Sequence, residues 1–199
     1  MADSTDPHVV GVCGSLRDES RTRVALNEAL SVSEEAGATV ELVDLRRYEL
    51  PSVDGVDAAV PDAEVLRGRI EAADSVLLGT PNYHGSYSGS LKYALDACGR
   101  DEFEATTVGL LEVAGGDFPG SALVHLRTVS RTLRAWTLPT EVAIPDSHSV
   151  VTDDGIADPR IAERTRRLGR ELVEYAGVAN YPAAVGRSSA PPTEREADD

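Results

Sequence analysis

Lysine is nearly missing from this chain. Lys92 stands alone, so 18 of the 19 basic residues are arginine, set against 34 aspartates and glutamates for a formal net charge of -15. A surface so rich in carboxylate repels DNA and RNA, whose binding rests on neutralising phosphates with basic groups, and no nucleic-acid partner is expected. Arginine's charge is less strongly hydrated than an ammonium. Its dominance beside excess carboxylate matches a halophilic surface, one on which high salt screens self-repulsion; a GC-rich genome or ordinary acidity is the alternative. Cysteine is also scarce. Cys13 and Cys98 are too few for a disulfide scaffold and have no metal-ligand spacing, so a reduced, cytoplasmic setting without a metal site is expected. No cationic start leads into an apolar stretch and no run of 18 apolar residues occurs. Neither a signal peptide nor a membrane span or membrane partner is therefore expected.

What is present is a regular alternation of short apolar runs and longer amphipathic segments. The 199 residues suit one domain with a full core, here residues 1–182, followed by an acidic tail at 183–199 whose lack of period predicts disorder. His8 to Cys13 reads as a strand, and Arg21 to Ala36 carries Val24, Ala25, Ala29, Val32 and Ala36 at helical spacing. Thr39 to Val43 alternates as a second strand, and Tyr48 to Pro61 is a connection. Pro61 opens a helix through Val65, Leu66 and Ile70. Ser75 to Gly79 is a fully apolar strand with a helix starting near Ser88 or Ser90. Thr106 to Val113 is the fourth strand, Ser121 to Trp136 the fourth helix, Thr140 to Ile144 the fifth strand and Asp158 to Ala176 the last helix.

Strands this short, with helices between them, pair in parallel through right-handed crossovers. The expected fold is α/β and flavodoxin-like: a doubly wound five-stranded parallel sheet of order 2-1-3-4-5 with helices on both faces. Its ligand crevice opens where strands 1 and 3 diverge. The two most unusual segments of the chain, Gly11 to Arg23 and Thr80 to Asp96, follow those two strands.

The first loop offers Ser15, Arg17, Ser20 and Thr22 at the start of a helix. Helix amides, hydroxyls and a guanidinium together match a phosphate dianion; the plain alternative is an N-capping serine beside a solvated arginine. No Gly-Lys-Ser/Thr and no complete Gly-x-Gly-x-x-Gly is present, so a mononucleotide phosphate fits better than a triphosphate or a pyrophosphate. The third loop, Pro81 to Gly89, places Tyr83, His84 and Tyr87 where a planar ring can lie, unless the tyrosines only cover the sheet edge and His84 is a surface residue. After strand 4, Gly115 and Gly116 can turn N–H groups towards the carbonyl side of such a ring. Cys13 reads as a small apolar filler beneath the first loop. No catalytic triad, carboxylate pair or metal cluster stands out.

Gly14-Ser15-Leu16-Arg17 with Ser20, and Pro81-x-Tyr83-His84-Gly85-Ser86-Tyr87-Ser88-Gly89-x-Leu91-Lys92-x-x-Leu95-Asp96, resemble the NADPH-dependent FMN reductases among flavodoxin-like proteins. The resemblance spans roughly residues 8 to 175. It implies FMN as cofactor and NADPH or NADH as co-substrate, with electrons passing on to a small-molecule acceptor such as free flavin or a quinone. It assigns the FMN phosphate to Ser15, Arg17, Ser20 and Thr22, the isoalloxazine to Pro81, Asn82, Tyr83, His84, Gly85 and Ser86, and the loop after strand 4 to Gly115 and Gly116. A homodimer or homotetramer is implied as well. Catalysis falls to the cofactor, with His84 open as an acceptor contact. Two positions depart from the family pattern: Thr22 replaces its usual asparagine, and Asn82 its common glutamate, a change expected to alter the surface around the flavin or a subunit contact. An electron-transfer module reduced by a partner protein is the alternative reading.

Overall fold

The apolar runs of the sequence become strands, the three central ones buried almost throughout. A computed structural model describes residues 6–50 and 61–177. The elements are β1 (His8–Cys13), α1 (Arg21–Glu35), β2 (Thr39–Asp44) with a short 3-10 turn at Leu45–Arg47, α2 (Pro61–Glu71), β3 (Ser75–Pro81), α3 (Gly89–Asp96) and β4 (Thr107–Val113). They continue with α4 (Ser121–Thr132), β5 (Trp136–Ile144), α5 (Ser147–Val150), β6 (Val151–Thr152), β7 (Gly155–Ile156) and α6 (Pro159–Glu174). Among the described residues, β1 to β5 form one parallel sheet of order β2-β1-β3-β4-β5, the flavodoxin-like order expected.

Alternation along the strands feeds two cores. Val10, Val12, Val76, Leu78 and Leu110 face α2, α3 and α4, whereas Val9, Leu77, Leu111, Leu168 and Leu172 build the layer under α1 and α6. Burial on both sides is what lets a parallel sheet consist of nearly continuous Val, Leu and Ile. Helix starts are set locally. Ser20, Ser88 and Asp158 accept hydrogen bonds from the first-turn amides of α1, α3 and α6, and Pro159 supplies a preset φ at the start of α6.

Two expectations need correction. The fourth helix does not reach Trp136. It ends at Thr132, and Arg134 takes a left-handed backbone (φ 64) that turns the chain, so that Trp136 opens β5. The fifth strand thus starts four residues before Thr140. It accommodates Pro139 because β5 lies at the sheet edge, and its register with β4 slips between Val108 and Leu110. The short α5 and the β6–β7 ribbon were not anticipated; their residues show no period long enough to read. The middle of the connection after Tyr48 and the tail at 183–199 lie outside the described residues. No helix among the described residues is long and apolar enough to cross a membrane.

The tightest seam is between α1 and α6. Gly169 sits inside α6, where glycine costs about 1 kcal/mol relative to alanine, yet a Cβ there would overlap the carbonyl oxygen of Ala29. The Ser33 hydroxyl donates to the Gly169 carbonyl at 2.9 Å across the same seam. Gly169→Ala should therefore lower stability by about 2 kcal/mol despite its better helix propensity. Urea unfolding reads this directly, and a midpoint equal to or above that of the parent would contradict the packing account.

Candidate functional site

Parallel strands end on one edge. After β1 the chain crosses to the α1 face, after β3 it crosses to the α3 face, and a crevice opens between the two departures. The turns on either side are stitched together. The Gly14 carbonyl accepts from the hydroxyls of Ser88 (2.6 Å) and Ser90 (2.7 Å), and the Gly14 amide donates to the Gly79 carbonyl at 2.8 Å. Ser88 also donates its amide to the Thr80 hydroxyl at 3.0 Å, while its own hydroxyl caps α3 at Leu91. A Cβ on Gly14 would collide with Leu91 and Ser88, so only glycine fits there.

The loop from Gly14 to Ser20 is held from outside by two arginines. Arg23 donates to the carbonyl of Arg17 at 3.4 Å and to that of Asp18. Arg46 grips the Asp44 carboxylate at the end of β2 and reaches Asp18 at 2.9 Å. The hydrogen bonds from Arg46 hold the Asp44 carboxyl below the usual carboxylate range. Ser20 caps α1 through the Arg23 amide at 3.1 Å. Beneath the loop Cys13 is fully buried, its thiol pushed up by burial, consistent with its role as a filler.

The guanidinium groups of Arg17 and Arg21 take part in none of these bonds, and neither pairs with a carboxylate among the described residues. Both line a cavity of about 240 Å³ at the mouth of the crevice, together with the little-exposed Ser15, Ser20 and Thr22. Guanidinium groups, hydroxyls and the free first-turn amides of α1 form a donor set that fits a phosphate monoester. Pro81, Asn82 and Tyr83 form the next wall, and Gly115 closes the side towards β4. A Cβ on Gly116 would meet nothing within 4 Å, leaving its backbone open to a ring edge. A larger groove of about 700 Å³ between α1, the β6–β7 ribbon and α6 is bridged by the Glu28–Arg166 ion pair and holds no comparable donor set.

The segment after β3 is a small hairpin. Tyr83 and Ser86 exchange backbone hydrogen bonds (2.9 and 3.1 Å) around His84 and Gly85, both at positive φ (53 and 78) as a type I′ turn requires. The hairpin is bolted to α4 from below. Glu112, the single charged residue of β4, is wholly buried; it accepts from the Asn82 side-chain amide through one oxygen and from the amides of Gly120 (2.9 Å) and Leu123 (3.3 Å) through the other. Asn82 returns its carbonyl oxygen to the Gly85 amide at 3.0 Å, and Ser86 bonds His125 of α4 at 3.0 Å. Asn82 thus turns its amide inward. A glutamate there would set one carboxylate against another, which gives the departure from the family pattern a physical reason.

The proposed phosphate set of Ser15, Arg17, Ser20 and Thr22 is brought together, and Pro81, Asn82, Tyr83 and Gly115 share its cavity. His84, Gly85, Ser86 and Gly116 do not line it. The first two make the turn, Ser86 faces α4, and the Gly116 carbonyl accepts from Asp146. Of the two tyrosines, Tyr87 packs on the core, whereas Tyr83 stays 43% exposed at the cavity. Glu112 and His148, which also lines the cavity, went unread. A charge inside VGLLEV signals the first, and a position after the fifth strand on the same edge signals the second.

The family model of NADPH-dependent FMN reductase matches residues 7–149. The chain belongs to that family. As an FMN reductase it is an NAD(P)H-dependent flavin oxidoreductase with FMN as its cofactor. It is 37% identical over 134 residues to an FMN-dependent NADPH-azoreductase of Staphylococcus aureus, an alignment covering 66% of this chain and 70% of the relative. Among solved structures its fold is similar to FerB, a flavoenzyme NAD(P)H:(acceptor) oxidoreductase from Paracoccus denitrificans (TM-score 0.72, 21% identity, covering 85% of this chain and 96% of that one). It is likewise similar to the apo form of the NADH:FMN oxidoreductase EMOB (TM-score 0.71, 19% identity, covering 85% and 90%).

Removing the Glu112 carboxylate takes the acceptor from three donors, the Leu123 amide buried and those of Asn82 and Gly120 partly so. Glu112→Ala should cost about 3 kcal/mol and free the hairpin, read as a lowered urea midpoint and faster proteolytic nicking near His84 under native conditions. A variant as stable and as protected as the parent would show that Glu112 does not hold the hairpin.

Proposed function

We propose that this reductase holds FMN across the edge of β1, β3 and β4 and passes electrons from NADPH or NADH to a small planar acceptor: free flavin, a quinone or an azo compound. The observation that carries this is the convergence of a phosphate-type donor set with Pro81, Asn82, Tyr83 and Gly115 on one crevice. FMN, when bound, supplies hydride acceptance and donation. The protein's share is placement. Ser15, Arg17, Ser20 and Thr22 take the phosphate, the hairpin from Pro81 to Ser86 flanks the ring, and the amides of Gly115 and Gly116 face the side on which negative charge gathers. The azo class enters because the curated relative is an azoreductase.

Recombinant protein should be yellow and release FMN on denaturation, and anaerobic NADPH or NADH should bleach it. Arg17→Ala should weaken FMN about tenfold, whereas Lys92→Ala should not, since Lys92 pairs with Asp96 on α3 away from the cavity. Titration of the two flavin-free variants decides this. A chain that takes up no FMN, or one bleached by neither nucleotide, would overturn the reading.

The second part of the reading is a cytoplasmic, salt-adapted homodimer or homotetramer. Large apolar side chains stand exposed around the crevice, Leu16 at 57%, Tyr93 at 46% and Phe118 at 94%, in a chain whose other surface is dominated by carboxylate. A second copy covering them would complete the rim, and salt would relieve repulsion between two subunits of charge -15. Size-exclusion chromatography monitored by flavin absorbance from about 0.1 to 3 M salt should show the oligomer and its FMN persisting at high salt and declining together as salt is removed. A monomer that retains FMN at every salt would refute the shared rim, and equal stability throughout would refute salt adaptation.

A further inference from the structure

The connection after β5 folds back onto the site. Asp146 takes a left-handed backbone (φ 39), and its amide donates to the Gly116 carbonyl at 3.1 Å. The next amide, of Ser147, donates to the Ala114 carbonyl at 2.9 Å. These bonds dock α5 against the loop after β4 and carry His148 to the cavity that Ser15, Arg17 and Thr22 line from the opposite side. A Cβ on Gly115 would lie 3.8 Å from Nε2 of His148 and within 4 Å of no other residue, so the imidazole is the neighbour of that bare backbone. His148 has no hydrogen bond or ion pair among the described residues. A left-handed non-glycine residue persists only where its surroundings hold it, and here they hold a free imidazole at the mouth of an anion-type cavity.

We propose that His148 is a direct contact of the flavin nucleotide and that its imidazolium form binds that ligand's negative charge. The inference rests on the FMN reading above. The charged and titratable neighbours are Arg17, Glu19 and Arg21 from the first loop and the start of α1, Tyr83 from the hairpin, and Asp146 from its own turn. Of these residue types, histidine changes charge between pH 6 and 8. The ligand offers negative charge at the phosphate and, once reduced, on the ring. Both are anions that an imidazolium stabilises by a charge-assisted hydrogen bond, and the two sources separate by experiment.

Full-length protein stripped of flavin is titrated with FMN and with riboflavin at about pH 6.5 and 8.5, as parent, His148→Gln and His148→Lys. His148 is exposed, so neither change disturbs the core. The parent should bind FMN about fivefold more weakly at the higher pH. His148→Gln should show the weaker affinity at both, and His148→Lys the tighter affinity at both. If riboflavin stays flat, the charge met is the phosphate. If FMN and riboflavin both show the pH dependence only when titrated in their reduced forms, the charge met is on the ring, and the two-electron potential of the bound flavin should fall in His148→Gln by about 30 mV for each tenfold loss in relative affinity for the reduced form. A His148→Gln variant with the parent's pH profile and the parent's potential would overturn the inference while leaving FMN binding intact. A parent that takes up no flavin at any pH would overturn the FMN reading itself.

Discussion

A single buried carboxylate holds the working edge of this protein together. Glu112 lies in β4 among leucines and valines, and burial there is tolerable only because both oxygens are used: one by Asn82 of the hairpin, the other by the amides that open α4. The bonds reach in two directions. They fix where the hairpin stands over the sheet edge, and they fix where α4 begins, hence the length and path of the glycine loop between β4 and α4. Ser86 to His125 adds a second tie between the same two elements. The edge of the crevice is thereby set from beneath, largely by a carboxylate that does not line it.

The first loop is secured on a different principle. Its neighbours are arginines and aspartates at the rim, and the short, partly exposed bonds among Arg23, Arg46, Asp44 and Asp18 are individually modest in water. Their value lies in direction. By fastening the outer side of the loop, they leave Arg17 and Arg21 to face the cavity, and in a chain of net charge -15 an unpaired guanidinium beside three hydroxyls is a local reversal of sign. A phosphate meets local attraction there, on a protein whose charge is otherwise strongly negative.

The strand order, the two core faces and the crevice were legible in the sequence because each rests on pattern: apolar runs of fixed length, helices between them, and one handed way to connect parallel neighbours. That Ser15, Arg17, Ser20 and Thr22 share one cavity was legible for the same reason, since they are local in sequence. What escaped depends on contacts between distant segments. Asn82 looked like a surface change until Glu112, 30 residues on, gave its amide an acceptor. Ser86 belonged to a ring-facing motif, yet its hydroxyl is claimed by His125. The end of α4 escaped because Arg134 adopts a conformation that composition does not announce. Pro139, a break in a central strand, is harmless in β5 only because that strand lies at the edge.

A reductase of this kind needs few chemical groups of its own, and the residue inventory reflects that economy. Among the described residues no nucleophile–base pair forms in the crevice, whose lining is mostly hydroxyls, guanidinium groups and backbone. When the cofactor contributes the electron chemistry, selection among acceptors falls to shape and polarity at the open rim. Exposed apolar side chains stand on the three loops that leave this edge of the sheet, Leu16 after β1, Tyr83 after β3 and Phe118 after β4, in a protein with only two phenylalanines and 5% aromatic residues. Apolar and loop-borne, these side chains are what a second subunit or a flat acceptor would meet first, whereas the inner end of the crevice presents directed hydroxyl and guanidinium donors instead.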